Sequence, residues 1–351
     1  MPLLSVLQLF SGLLMLIAGA ELLVRAAVRL AARLQVRPLI IGLTILAFGS
    51  SAPQMAVSLQ ATLAENTDIA VGSVIGSSIF NILVTLGLSA LIIPLRVSRQ
   101  LVRLDIPLMI GASLLVFVLA YNEELTPVDG LILLTALVIY LGLLLYQSRH
   151  AHRPPHLTQT PPAPWLSSLL LMLLGLALLA LAGHWLLQAA VTVASDLGLS
   201  ERIIGLTIIA VSTSLPALAT SLIAAVRGQR DIAVGNVIGS NLFNLLGVLG
   251  ITALVAPTPL SVSPNALDFD LPVMLGVTLL CLPVFYSGYR VTRAEGLLFL
   301  ALYLAYGLHV VSFTTGMPLA GKLEHLMLFF VLPALVAFLL FSSLRAWRRQ
   351  H

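Results

Sequence analysis

The chain has 351 residues, of which 59% are hydrophobic and only 9% are charged, and its formal net charge is +4. Soluble domains carry roughly 25% charged residues. The 18 basic and 14 acidic side chains could not cover a soluble globule of this length without leaving large apolar patches in water. The composition therefore excludes a soluble enzyme and predicts an all-α polytopic membrane protein.

Eleven apolar runs follow one another along the chain, each close to the roughly twenty residues that cross a bilayer. The first five lie near residues 3–24, 38–63, 69–93, 104–121 and 127–147. After a polar, proline-rich linker the runs resume near 165–194, 203–226, 232–256, 270–287, 294–313 and 324–344. No basic residue precedes the first run, so we expect a retained helix rather than a cleaved signal peptide.

The basic residues predict the topology. Sixteen of the eighteen Lys and Arg follow the odd-numbered runs, whereas the alternate loops are mostly acidic. Because basic loops stay in the cytoplasm, we expect the amino terminus outside and the carboxy terminus inside. The positive charge is thus a topology signal and gives no support for nucleic-acid binding. Short loops with cytoplasmic arginines suit a bacterial inner (plasma) membrane, and the oligomeric state stays open.

An internal repeat organises the chain into two halves. Residues 42–87 align with residues 205–250 at a constant offset of 163, and 25 of the 46 positions are identical. Since five runs separate equivalent elements, the two halves have opposite orientations, which is typical of secondary transporters. The predicted organisation is a first half over 1–147, a cytoplasmic linker over 148–164, a second half over 165–313, and an additional helix with a basic tail over 314–351.

Each copy of the repeat carries residues suited to binding a cation. Pro53 and Pro216 are expected to break their helices and to free carbonyls one turn earlier, and paired breaks indicate a substrate site. Small polar residues adjoin the breaks or lie four apart on the next helix: Ser50, Ser51, Ser77, Asn81, Thr213, Ser214, Ser240 and Asn244. Their oxygens suit a hard cation. Taken singly, each could instead bond to its own helix, but all recur at matched positions.

The motifs GSSAPQ and STSLPA, with GSVIGSSIFN and GNVIGSNLFN, resemble the paired repeats of the calcium/cation antiporter superfamily, the membrane region of sodium/calcium exchangers. The resemblance covers the first ten runs. It implies a ten-helix core of two inverted five-helix repeats, to which the eleventh run adds a C-terminal helix. It also implies exchange of Na⁺ against Ca²⁺ by alternating access, in which the first and sixth helices slide across the rest. No resident cofactor and no catalytic residue is expected.

Carried over by position, the family's ion ligands fall on the carbonyls of Ala47 and Ala210, on six hydroxyls, and on three amides. The hydroxyls are those of Ser50, Ser51, Ser77, Thr213, Ser214 and Ser240, and the amides are those of Gln54, Asn81 and Asn244. This set is also the only metal site that the resemblance implies, and it would hold the transported cation. The expected partners are therefore the lipid bilayer and small inorganic cations.

The chain departs from the family at its two signature glutamates, which are Gln54 and Ala217 here. A divalent ion in a low-dielectric site without carboxylates faces a desolvation cost of several kcal/mol. Two hypotheses follow: a cation antiporter with weakened Ca²⁺ coupling, or a transport-inactive scaffold or partner subunit that retains the fold. Among the acidic residues of the apolar runs, only Glu21 is clearly inside the membrane, because Asp105 lies near a cytoplasmic end. Glu21 either has a function of its own or forms a structural ion pair with Arg25, one helical turn later.

Overall fold

The structure, a computed structural model, describes residues 3–34, 36–150, 165–196, 209–286 and 288–314. Within these ranges the chain forms ten helices, which we number in chain order. The first half contains α1 (Leu3–Leu34), α2 (Pro38–Leu63), α3 (Thr67–Ile92), α4 (Leu101–Asn122) and α5 (Pro127–His150). The second half contains α6 (Trp165–Asp196), α7 (Ala210–Val226), α8 (Arg230–Val255), α9 (Ala266–Tyr286) and α10 (Arg293–Thr314).

Nine of these helices are long and apolar enough to cross a membrane, and the described part of α7 is a shorter apolar helix. The prediction of an all-α polytopic membrane protein is therefore confirmed. Most boundaries agree with the apolar runs within a few residues, but α1 continues ten residues past its predicted end. Arg25, Arg29 and Arg33 favour a helix, and no proline follows before Pro38. Residues 151–164, the beginning of the seventh run and the eleventh run near 324–344 lie outside the described residues.

The expected breaks at Pro53 and Pro216 are absent from α2 and α7. Both prolines lie inside continuous α-helix, so the prediction of unwound segments was wrong. The backbone departs from regular α-helix elsewhere, in π-helical stretches at Gly42–Leu46, Asn81–Leu86 and Phe243–Val248. Membrane helices tolerate proline through such local adjustments and through contacts with neighbouring helices. Two of these irregular stretches contain Asn81 and Asn244, whereas the helix stays regular around Pro53 and Pro216.

The first helices of the two halves, α1 and α6, pack against each other in antiparallel directions. Gly12 opposes Leu186, and Gly19 opposes Gly175 seven residues further along α1. A Cβ atom added to Gly19 would lie 2.9 Å from the carbonyl oxygen of Gly175. The contact therefore requires glycine on both helices, and its direction agrees with two halves of inverted orientation.

Two short antiparallel sheets join the halves. β1 (Leu95–Arg96) pairs with β4 (Arg290–Val291), and β2 (Glu124–Leu125) pairs with β3 (Leu260–Ser261). Each sheet thus takes one strand from each half, and the two sheets occupy equivalent positions in the repeat. At the centre, α3 and α8 are the most buried of the candidate membrane spans. They pack with α2 and α7 to form the polar interior of the molecule.

Candidate ion-binding site

Helices α2, α3, α7 and α8 bring all eleven predicted ligands into the buried interior. Each of them is at most 6% exposed, and the set comprises Ala47, Ser50, Ser51, Gln54, Ser77, Asn81, Ala210, Thr213, Ser214, Ser240 and Asn244. Buried polar groups in a protein are normally hydrogen-bonded. Their hydrogen-bond partners therefore indicate how the site is organised, and several of these ligands belong to two clusters.

The first cluster is centred on the side-chain amide of Gln54. Its Oε1 accepts hydrogen bonds from the hydroxyls of Ser77 at 2.9 Å and Thr213 at 2.5 Å. Its Nε2 donates to Ser73 at 2.9 Å and to Ser58 at 3.0 Å. The four hydroxyls belong to α2, α3 and α7, so a single uncharged amide joins three helices.

The second cluster is centred on the side-chain amide of Asn236. Its Oδ1 accepts from Ser50 at 3.1 Å, and its Nδ2 donates to Ser221 at 2.9 Å and to the carbonyl of Ala217 at 3.2 Å. Ser50 also lies 3.0 Å from Ser240, oxygen to oxygen. In the repeat, Ser50 and Ser240 are equivalent to Thr213 and Ser77, whose hydroxyl oxygens are 3.4 Å apart. The two clusters are therefore related by the internal repeat.

The backbone carbonyl of Ala210 is shared by three side chains. It accepts hydrogen bonds from Ser77 at 3.2 Å, Thr213 at 3.2 Å and Ser214 at 2.9 Å. Ala47, its equivalent in the first half, accepts from Ser50 at 3.2 Å. Ser214 bonds within its own helix, and we find no contact between it and either cluster among the described residues.

Three predicted ligands have buried oxygens without a hydrogen-bond partner in the described part of the chain. These atoms are Ser51 Oγ, Asn81 Oδ1 and Asn244 Oδ1. The amide nitrogen of Asn81 donates to Asn241 at 3.2 Å, which leaves the Asn81 oxygen free to accept. An unsatisfied buried acceptor costs about 1–3 kcal/mol. A bound cation would remove this cost, and the three oxygens are chemically suited to a hard cation.

Neither cluster contains an acidic side chain, and the described residues include no group of three His, Cys, Asp or Glu that could hold a metal ion. Glu21 lies elsewhere. Its carboxylate binds Arg25 Nε at 2.6 Å and Arg227 Nη2 at 2.5 Å, so the structural pairing with Arg25 is confirmed. The second bond joins α1 to the residue that directly follows α7. Asp105, expected near a cytoplasmic end, lies in the first turns of α4, and its side chain is completely buried there.

The sequence analysis left several residues of the clusters out of the ligand set. Ser58, Ser73, Asn236 and Asn241 are each hydrogen-bonded to a predicted ligand, and Ser221 accepts a hydrogen bond from Asn236. A signal for four of them was present in the repeat: Ser58 is equivalent to Ser221, and Ser73 to Asn236, at the same offset of 163. Polar residues at matched buried positions were therefore the available indicator.

Comparison with known proteins gives a consistent result. The family model described as sodium/calcium exchanger protein matches residues 4–146 and 167–312. A candidate antiporter, CaxA, of Alkalimonas amylolytica is 40% identical over 84% of this chain and 95% of its own length. The inner membrane protein YrbG of Escherichia coli is 38% identical over 79% of this chain and 87% of its own length. A solved structure of the sodium-calcium exchanger NCX_Mj superimposes with a TM-score of 0.75 at 30% identity, covering 87% of this chain and 98% of that one.

Proposed function

The chain belongs to the sodium/calcium exchanger protein family and is a secondary cation antiporter of the membrane, and we propose that it transports Na⁺ and couples poorly to Ca²⁺. The observation that carries this proposal is the environment of Gln54. At the position of a signature glutamate, the chain has an uncharged amide whose oxygen and nitrogen are both hydrogen-bonded to hydroxyls.

The charge of the site favours a monovalent ion. Ions lose their hydration energy on entering a low-dielectric interior, and the loss grows steeply with charge, so a divalent ion needs compensating carboxylates. The two clusters offer carbonyl, hydroxyl and amide oxygens but no formal negative charge. The dipoles of these groups can replace the hydration shell of Na⁺. For Ca²⁺ they would leave the double positive charge of the ion without a neutralising negative charge.

Restoring the missing acids tests the proposed selectivity. In proteoliposomes, the unmodified protein should exchange ²²Na⁺ and should show little ⁴⁵Ca²⁺ uptake when a Na⁺ gradient is imposed. Gln54→Glu combined with Ala217→Glu supplies two carboxylates to the interior and should raise Na⁺-driven Ca²⁺ uptake at least about tenfold, the factor that 1.4 kcal/mol produces. Strong Ca²⁺ uptake by the unmodified protein would refute the proposal.

Truncating the two asparagines whose amide oxygens have no partner among the described residues tests the proposed location of the site. Asn81→Ala with Asn244→Ala removes two of the three free oxygens and should abolish ²²Na⁺ exchange while leaving the protein folded. Asn66→Ala is a matched control, because this asparagine is exposed and makes no side-chain cap at the start of α3. Normal ²²Na⁺ exchange in the double variant would place the ion elsewhere.

We also propose the bacterial inner membrane as the location, with the lipid bilayer and inorganic cations as the partners. The support is the YrbG relative, which is named an inner membrane protein, together with the short, arginine-rich loops of this chain. Separation of inner and outer membranes on a density gradient, followed by immunodetection of the protein, tests the location.

A further inference from the structure

Asp105 is the only fully buried acidic side chain among the described residues. It lies at the end of a π-helical turn, Leu101–Asp105, within the membrane span of α4. π-helical turns occur frequently at functional sites. An ionisable side chain inside a membrane span is also a candidate for function. Yet Asp105 makes no hydrogen bond to either cluster or to any predicted ion ligand, so the chemistry of the candidate ion site leaves its role unexplained.

No basic side chain among the described residues pairs with Asp105. Its Oδ1 accepts a hydrogen bond from the Tyr140 hydroxyl of α5 at 3.5 Å, and its Oδ2 has no partner in the described chain. Arg103, two residues earlier, is exposed. The other helices packed on α4 are α8 and α9. The titratable side chains of α8 are Arg230 and Asp231, in its first turn. Those of α9 are Asp268 and Asp270 at its start, Cys281, which bonds to its own helix, and Tyr286 at its end. An unpaired carboxylate in this position would be very costly, so the group holds a proton.

The second half repeats this arrangement. Asp270 occupies the equivalent position at the start of α9, and its Oδ1 accepts from the Tyr306 hydroxyl of α10 at 2.9 Å. Tyr306 is the repeat counterpart of Tyr140, and Asn265 also approaches Asp270 at 3.4 Å. Three other titratable groups lie nearby: Asp268, which is exposed, Tyr303 of α10, and His309 of α10. The ring of His309 stacks on Phe269. Helix α3 also packs against α9, and its one titratable side chain is Asp68, in its first turn. Because the halves are inverted, the two pairs belong to opposite ends of the molecule.

Both pairs adjoin the candidate ion site. One turn beyond Asp105, the sulfur of Met109 lies 3.7 Å from Asn241 Nδ2, and Asn241 accepts the hydrogen bond of Asn81. On the other side, Tyr306 lines a cavity of about 340 Å³ together with Gly76 and Ala210. Ala210 supplies the carbonyl shared by Ser77 and Thr213. Asp105 is therefore linked to the predicted ligand Asn81 through Met109 and Asn241, and Tyr306 shares a cavity with the predicted ligand Ala210.

We propose that Asp105 with Tyr140, and Asp270 with Tyr306, bind the protons that this antiporter exchanges for Na⁺. The inference rests on the proposed function, in which the ligand clusters themselves carry no titratable group. When a carboxyl group releases its proton to water, the carboxylate that remains is balanced by the charge of one incoming Na⁺. When Na⁺ leaves, the carboxylate takes a proton back. Because the attraction between charges is strong in a low-dielectric interior, the carboxylate is neutralised either by a proton or by Na⁺, and the two ions compete for it.

Proton movement driven by a Na⁺ gradient tests the inference. Vesicles loaded with Na⁺ and an entrapped pH dye, then diluted into Na⁺-free buffer, should become acidic inside as Na⁺ leaves. Asp105→Asn and Asp270→Asn should each lower the rate of acidification at least about tenfold, because an amide cannot exchange a proton. Asp105→Glu keeps a carboxyl group and should retain proton movement. Asp268→Asn is the matched control, since this aspartate is exposed two residues from Asp270.

Exchange of ²²Na⁺ against Na⁺ at constant pH distinguishes failure of this inference from failure of the proposed function. If unmodified protein exchanges Na⁺ but moves no protons, the proposed function stands and the proton sites are refuted. The same holds if the double Asp→Asn variant still moves protons. If unmodified protein fails to exchange Na⁺, both fall.

A pH profile needs no variant that could misfold. The KM for Na⁺ should rise as the pH falls, because protons compete for the same charge, and a KM that stays constant with pH would overturn the inference. His309→Gln should leave that profile unchanged; a profile lost in this variant would assign the proton to the histidine instead.

Discussion

Gln54 and Asn236 place a carboxamide in each half of the interior, but at positions that the repeat does not match. The equivalents of Gln54 and Ser73 are Ala217 and Asn236, so the amide is carried by α2 in the first half and by α8 in the second. Each amide donates to the equivalent serine, Ser58 or Ser221. The first half therefore has its amide at residue 54 and a serine at residue 73, whereas the second half has an alanine at residue 217 and its amide at residue 236. Each half thus keeps one carboxamide.

We expect Gln54→Ala to destabilise the protein, because Ser58, Ser73, Ser77 and Thr213 each lose a buried hydrogen-bond partner. The free energy of unfolding should fall by about 1–3 kcal/mol. Adding Ser73→Asn should recover most of this loss, since the new amide would reach Ser58 and the carbonyl of residue 54, as Asn236 does in the second half. Thermal unfolding in detergent measures both effects. Gln60→Ala, at an exposed position of the same helix, serves as the control and should change little.

At this scale the sequence identified the polar positions but not their partners. Residues repeated in both halves proved to be buried together, because equivalent positions of an inverted repeat meet around one centre. The role of Asn236 could not be predicted, since it depends on which hydroxyl α2 presents across the interface. Asp105 was placed near a membrane face because it lies close to the end of an apolar run. Its burial results from the contacts of α4 with α5 and α9, which the run does not encode.

At the level of helices, the contact between α2 and α8 sets the spacing of the two clusters. Gly235 lies against the carbonyl of Leu39, and Gly239 lies against Leu43 and Ala47. The glycine pair of α8 therefore packs this helix closely against α2. Ser240 follows Gly239 directly, and Ser50 lies one turn beyond Ala47, so the glycine contact brings these two hydroxyls to 3.0 Å.

Gly239→Ala should therefore separate α2 from α8. The added Cβ atom would lie 2.6 Å from the Cβ of Ala47 and 2.7 Å from the carbonyl oxygen of Leu43, neither of which can move without the backbone. We expect a loss of about 1–3 kcal/mol in the free energy of unfolding, together with lower ²²Na⁺ exchange. Gly142→Ala provides the comparison, because nothing lies within 4 Å of that position on α5. Equal unfolding temperatures for the two variants would contradict the proposed role of the contact.

Across the whole molecule, the two small sheets give an independent view of the predicted sidedness. β1 and β4 carry Arg96 and Arg290, which both lie in loops predicted to be cytoplasmic. β2 and β3 come from loops predicted to be outside, and β2 carries Glu124. Loops assigned to one face by charge are hydrogen-bonded to each other across the halves. The charge pattern thus identified which loops share a face, whereas their pairing required the tertiary structure.

Sidedness can be measured with single cysteines in intact bacterial cells. Cys281 is completely buried, and Cys281→Ala provides a cysteine-free background with little change to the surface. On that background, Glu124→Cys at the exposed end of β2 should react with a membrane-impermeant maleimide added outside the cells. Arg290→Cys, equally exposed on β4, should react only after the cells are permeabilised, because arginine-bearing loops remain in the cytoplasm. The reverse pattern would show that the chain inserts with its amino terminus inside. Labelling of both positions in intact cells would mean that arginine content does not set the orientation of this inverted repeat.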